Sequence, residues 1–176
     1  MTTNQFILLA LAPLALVLIM AAWQDMRENR VSNRVALTGA ALGILFNALF
    51  PQGSGFLSAF PGGVGLSGGL EGLALGFALL FPFCWLGMIG AGDVKLLAAV
   101  GAFLGPWDIF GATLSIFLAG GLLGLVLAAG RLSGLLSSLK SGLTGTLALN
   151  KSVGTLPYAV AIAMGTAAYA AWRLGF

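Results

Sequence analysis

Residues 66–95 read LSGGLEGLALGFALLFPFCWLGMIGAGDVK. From Leu66 to Met88 the only charge is Glu71, and the run then closes on two glycines, an aspartate and a lysine. An apolar run of about 20 residues is long enough to cross a bilayer as a helix. The whole chain shares this character: of 176 residues, 59% are hydrophobic, 7% are charged and 27 are glycine. Its mean hydropathy is +1.04. A soluble domain carries about 25% charged residues, so this composition cannot cover a water-facing surface. An ordinary soluble enzyme is excluded, and so is a disordered chain, which would be poor in apolar residues. The composition predicts an all-α polytopic membrane protein, a single domain over residues 1–176.

Working outward from that stretch, six runs are predicted to span a membrane: Gln5–Gln24, Val35–Phe50, Leu66–Met88, Asp93–Trp107, Ile109–Gly130 and Leu156–Trp172. The first lacks the basic n-region and small-residue cleavage site of a signal peptide, and is expected to be a span. Arg27, Arg30 and Arg34 lie between the first two runs, and Lys95 lies just after the break before the fourth. Arg131, Lys140 and Lys151 lie between the fifth and sixth. All three connections fall on one side of a six-span chain, and the other side holds only Arg173. The positive-inside rule makes the basic side cytoplasmic and puts both termini outside. Trp23, Trp85, Trp107 and Trp172 fall near the predicted span ends, where indole rings favour the interface. The net charge of +3 therefore reads as basic loops on one side of a membrane, not as a nucleic-acid surface.

Between the fifth and sixth spans, Leu132, Leu135, Leu136, Leu139 and Leu143 recur at helical spacing among serines and lysines. That pattern over 131–151 predicts a helix lying in the cytoplasmic interface. It reads as a connector, with a gate or a substrate-docking element as the alternative. The outer loop Pro51–Gly65 has no charge and reads as a connection without chemistry. Gly39 and Gly43, Gly72 and Gly76, and Gly120 and Gly124 stand four residues apart, which puts each pair on one helix face for close packing. No internal repeat is apparent, which weighs against transporters built from inverted halves.

The chemistry has few candidates. One cysteine, Cys84, and no histidine leave no disulfide, no Cys-based zinc site and no His catalysis. Of the acidic residues, Glu71 suits the first turn of the third span behind Ser67, Asp108 suits an N-cap after Pro106, and Glu28 suits a solvated loop. Asp25 is harder to dismiss, because it ends the first span where the helix dipole disfavours an anion. An ion pair with Arg27 would be the plain explanation. Asp93 follows two glycines in Gly90-Ala91-Gly92-Asp93-Val94-Lys95, and an N-cap is its plain explanation. However, the span from Asp93 to Trp107 covers only about 22 Å of a core about 30 Å thick. Asp93 is therefore expected somewhat below the cytoplasmic surface. The predicted topology brings Asp25 and Asp93 to the same face. Two such carboxylates can share one proton, one acting as base on a water and the other as acid toward a carbonyl oxygen. The two helix ends are expected to put that proton mainly on Asp25.

At these residues the sequence resembles the type IV prepilin peptidases, membrane aspartic proteases of the GxGD kind. Gly90-Ala91-Gly92-Asp93 with Lys95 matches that family's GxGDxK motif. Asp25-Met26-Arg27 followed by Val31-Ser32-Asn33 is similar to its first motif, with Ser32 where the family usually has Pro. Leu156-Pro157-Tyr158-Ala159 resembles its C-terminal Pro-Tyr segment. The resemblance runs from about Asp25 to Gly165. It implies Asp25 and Asp93 as the catalytic pair, with Arg27, Asn33, Gly90, Gly92, Lys95, Pro157 and Tyr158 binding substrate or supporting the site. It also implies cleavage of the leader of prepilins or pseudopilins at the cytoplasmic face of a prokaryotic inner membrane. Longer family members carry a cysteine-bearing cytoplasmic insertion and also methylate the new terminus. This chain lacks the insertion and looks like the short, peptidase-only type of tight-adherence pilus systems. No cofactor or metal is implied, and the implied partners are the pilin substrate and membrane lipid. Two other classes compete: a proton- or cation-coupled transporter with both aspartates as carriers, and a structural subunit of a secretion or pilus machine. Transporter sites usually lie near the midplane, whereas both aspartates here lie toward one face.

Overall fold

The structure, a computed structural model, describes residues 3–28, 30–50, 53, 55, 57, 63–140 and 158–174. These residues form five helices: α1 (Thr3–Glu28), α2 (Asn33–Leu49), α3 (Gly65–Trp85), α4 (Ala91–Lys140) and α5 (Tyr158–Leu174). The expected all-α class is found. Two stretches, Gly65–Trp85 and Ala91–Ala129, are long and apolar enough to cross a membrane, and Asn33–Leu49 is a shorter apolar helix.

The centre of the bundle is the first part of α4. From Val94 to Leu104 every residue except Lys95 is buried. A helix apolar on all sides needs neighbours on all sides. Here α2, α3 and α5 pack around α4, and α1 closes against α5 and α2. Small residues permit this closeness: Gly72 of α3 meets Gly101 of α4 backbone to backbone, and Gly76 lies against the Leu97 carbonyl. Gly39 and Gly43 of α2 likewise face Ala99 and Ala102.

α4 is not one rod. Gly105 has φ 82° and ψ 178°, outside the helical region and in one that favours glycine. Pro106 follows and has no N–H to return to the Ala102 carbonyl. Contacts on α5 reveal where the chain goes next. Asp108 bonds Tyr169 and Arg173 near the end of α5, whereas Gly120 lies beside the Tyr158 ring at its start. Asp93 also lies within electrostatic reach of Tyr158. In a straight helix Asp93 and Gly120 would stand about 40 Å apart, too far to share that neighbour. The chain therefore reverses at Gly105–Pro106, close to the predicted break between Asp93–Trp107 and Ile109–Gly130.

The reversal leaves carbonyls without their helical donors. Asn47, 1% exposed, supplies a substitute. Its Nδ2 donates to the Ala102 carbonyl at 2.7 Å and the Phe103 carbonyl at 3.1 Å, and its Oδ1 accepts the Val64 N–H at 2.9 Å. One side chain thus ties α2, the turn in α4 and the entry to α3 together.

Three smaller expectations change. Glu71 is exposed in the second turn of α3, which begins at Gly65, rather than in its first turn. Residues 131–140 of the predicted interfacial helix continue α4 without a break, and residues 141–151 lie outside the described residues. Asp108 does more than cap a helix. It is 4% exposed, and its Oδ1 accepts from the Tyr169 hydroxyl at 2.7 Å and Arg173 Nη2 at 3.0 Å. A carboxylate buried there needs both donors.

Candidate active site

Asp25 continues a buried stripe. Leu14, Val17, Leu18 and Ala21 of α1 are all buried, and the next position on that face is Asp25, 6% exposed. Where the helical period calls for an apolar residue, the chain carries a carboxylate. Its Oδ2 accepts the Ala159 N–H at 2.9 Å, joining the end of α1 to the first turn of α5. Arg27 is exposed and does not pair with it; its guanidinium lies 4.5 Å over the Trp23 ring. Among the described residues the ion pair is Arg173–Asp108, at the other end of the bundle.

Asp93 is the third residue of α4. Its carboxylate accepts the Gly90 N–H, the reciprocal half of a capping box. The Asp93 and Val94 N–H groups in turn donate to the Gly90 carbonyl at 3.1 and 3.4 Å. This tight turn sits against the loop between α1 and α2. A Cβ on Gly92 would stand 3.0 Å from the Val31 carbonyl oxygen and 3.1 Å from its Cβ. Glycine is thus what lets the start of α4 approach that loop. Lys95 Nζ donates to Asn33 Oδ1 at 2.8 Å, a second tie between the same two segments. The loop is held from its other side by Ser32, whose N–H donates to Gln24 Oε1 at 3.2 Å. Ser32 is also the N-cap of α2, its hydroxyl accepting the Arg34 N–H at 3.2 Å. A serine at this position starts the helix as well as the expected proline would.

Three chain segments therefore converge: the end of α1 with its following loop, the start of α4, and the start of α5. Asp25 lies within electrostatic reach of Asp93, as does Tyr158. Of the predicted site residues, Asp25, Asn33, Gly90, Gly92, Asp93, Lys95 and Tyr158 come to this corner. Arg27 lies beside it, facing away onto Trp23. Pro157 lies outside the described residues.

Burial pushes the Asp25 carboxyl above its ordinary value, and the Ala159 N–H pulls it part of the way back. This hydrogen bond corrects the expectation about helix ends. Asp25 does end α1, but its carboxylate also meets the N-terminus of α5, where an anion is favoured. Both aspartates then face a helix N-terminus, and the helix ends no longer separate them. The sequence reading missed Gln24, Asn47 and the Ala159 N–H. For Gln24 and Asn47 the signal was available, as polar side chains at or inside apolar runs. For Ala159 none was, because a backbone donor carries no sequence mark.

Among the described residues, no group of three or more His, Cys, Asp or Glu side chains could hold a metal ion. Two nearby carboxylates, one buried and hydrogen-bonded, can hold a water between them and pass protons to and from a bound carbonyl.

A family comparison agrees with the site. Residues 12–129 match the type IV leader peptidase family, a stretch that contains both aspartates and covers more than half of the chain. The chain belongs to that family and is a leader peptidase by class. No curated protein and no solved structure matches it significantly.

Proposed function

We propose that this protein is a membrane aspartic endopeptidase in which Asp25 and Asp93 activate water to cleave the leader peptide of prepilins or pseudopilins. The observation that carries the reading is the buried Asp25 carboxylate, held by the Ala159 N–H and facing Asp93 without a basic partner among the described residues. Burying a carboxylate is costly, and among the described residues no ion pair offsets the cost. A second carboxylate nearby adds repulsion, which one shared proton relieves. In the reaction, water adds to the scissile carbonyl as the ionised aspartate takes its proton. The protonated aspartate gives its proton to the carbonyl oxygen, and the tetrahedral intermediate collapses with proton transfer to the leaving amine.

The same reading has six membrane spans, the turn at Gly105–Pro106 separating the fourth from the fifth. The basic loops and the aspartate corner lie at the cytoplasmic face of a prokaryotic inner membrane, and both termini lie outside. Arg27, Asn33, Lys95, Pro157 and Tyr158 support the site or bind substrate, and the chain is of the short, peptidase-only type. The family assignment favours this over a proton- or cation-coupled transporter. The test is to incubate the purified protein in lipid or detergent with a prepilin and read the product's N-terminus by mass spectrometry. A single new terminus at the leader junction supports the reading, and an uncut substrate overturns it.

A further inference from the structure

The described residues contain two buried side-chain oxygens without any hydrogen-bond partner: the Tyr158 hydroxyl and Thr166 Oγ1. Both belong to α5. An unpaired buried hydroxyl costs about 1–3 kcal/mol, so each needs a reason. Thr166 lines an apolar groove between α1 and α5, among alanines and leucines. Tyr158 is differently placed. It is the first residue of α5, next to Ala159, whose N–H holds Asp25, and its phenol lies within electrostatic reach of Asp93. Its ring lies beside Gly120.

A phenol keeps its proton at neutral pH, so Tyr158 is a donor waiting for an acceptor at the edge of the aspartate pair. Among the described residues it has none. A peptide carbonyl brought to the pair would supply one. Resting on the peptidase reading above, we propose that Tyr158 is a third catalytic residue, donating its hydroxyl hydrogen bond to the scissile carbonyl oxygen. As water adds to the carbonyl carbon, the carbonyl π pair moves onto that oxygen, which takes its proton from the protonated aspartate. Tyr158 keeps its own proton throughout and stabilises the charge passing through the oxygen. A bond made only when the substrate is present is the kind that lowers the barrier rather than merely tightening binding. The site thus gives up stability at rest for a donor that is dry.

The test compares Tyr158→Phe with Thr166→Val, since each deletes one unpartnered hydroxyl and keeps its shape. Tyr158→Phe should lower kcat on the order of 100-fold with little change in KM, and its thermal midpoint should equal or exceed that of the wild type. Thr166→Val should match or exceed the wild-type midpoint and cleave at the wild-type rate. Cleavage by Tyr158→Phe at the wild-type rate would overturn the proposal and leave the peptidase reading standing. A Tyr158→Phe protein that loses activity and thermal stability together would also overturn it, because the hydroxyl would then be structural. Failure of the wild-type protein itself to cleave a prepilin would sink the peptidase reading instead.

Discussion

The Ala159 N–H at the start of α5 donates to Asp25 Oδ2 at the end of α1, at 2.9 Å, across 134 residues of chain. Through this bond the last helix completes a site whose two carboxylates come from the first helix and the fourth. The family match ends at residue 129, so α5 lies beyond it, and the Ala159 N–H is what ties this helix to Asp25. Shifting α5 by one turn would leave Asp25 buried without its donor.

Asp25 should be a site of stored instability. Burial raises its carboxyl above the ordinary value, so the folded state prefers the neutral form. A carboxyl raised in this way contributes stability at low pH and loses it as pH rises from its ordinary value near 4 through the folded value. Asp25→Asn should therefore unfold at the same temperature as wild type or higher at pH 7. The difference should shrink as pH falls toward 4. Thermal unfolding in detergent at several pH values measures this; an Asn variant markedly less stable at pH 7 would contradict it.

Gly92 is where the turn before Asp93 touches the loop after Asp25. Gly92→Val places side-chain atoms against Val31 and must push the two segments apart. Cleavage should fall roughly 10- to 100-fold, because displacements of about 1 Å at a catalytic pair cost that much. Protein yield should drop only modestly. Wild-type cleavage by this variant would make the glycine incidental.

Asn47 should matter to stability far more than its place in an apolar helix suggests. Asn47→Leu keeps the branched shape but strands the Ala102 and Phe103 carbonyls and the Val64 N–H. A loss of about 1–3 kcal/mol is expected from those stranded groups, read as a lower unfolding midpoint. An unchanged midpoint would mean that water or a backbone shift replaces the side chain.

Much of this was legible in the sequence, and the exceptions have a common cause. The apolar runs gave the helices because their length and composition are local properties. The turn at Gly105–Pro106 was readable because glycine and proline mark breaks by themselves. Asp25 stood out because it ends the first apolar run, where the helix dipole disfavours an anion. Asp108 was misjudged because its partners, Tyr169 and Arg173, lie 61 and 65 residues away. Asn47 was overlooked for the same reason: its acceptors lie 55 and 56 residues on. Local pattern finds elements and anomalies, while the partners that explain an anomaly are set by packing.

The proposed membrane orientation has its own check. In a Cys84→Ala background, single cysteines at Arg30 and Lys140 should react with an impermeant maleimide only from the cytoplasmic side. Cysteines at Ser54 and Arg173 should react only from the outside. The expectation rests on the distribution of basic residues. Finding Ser54 on the cytoplasmic side would remove the argument that puts both aspartates at that face.

The most direct measurement is cleavage of a co-expressed prepilin by wild type, Asp25→Asn, Asp93→Asn and the double variant, read as the pilin N-terminus by mass spectrometry. If the two carboxylates act as one unit, each single variant should lose processing completely while remaining in the membrane. The double variant should be no worse than either, because residues acting together are non-additive. A single variant that still processes its substrate at near the wild-type level would contradict the two-aspartate mechanism.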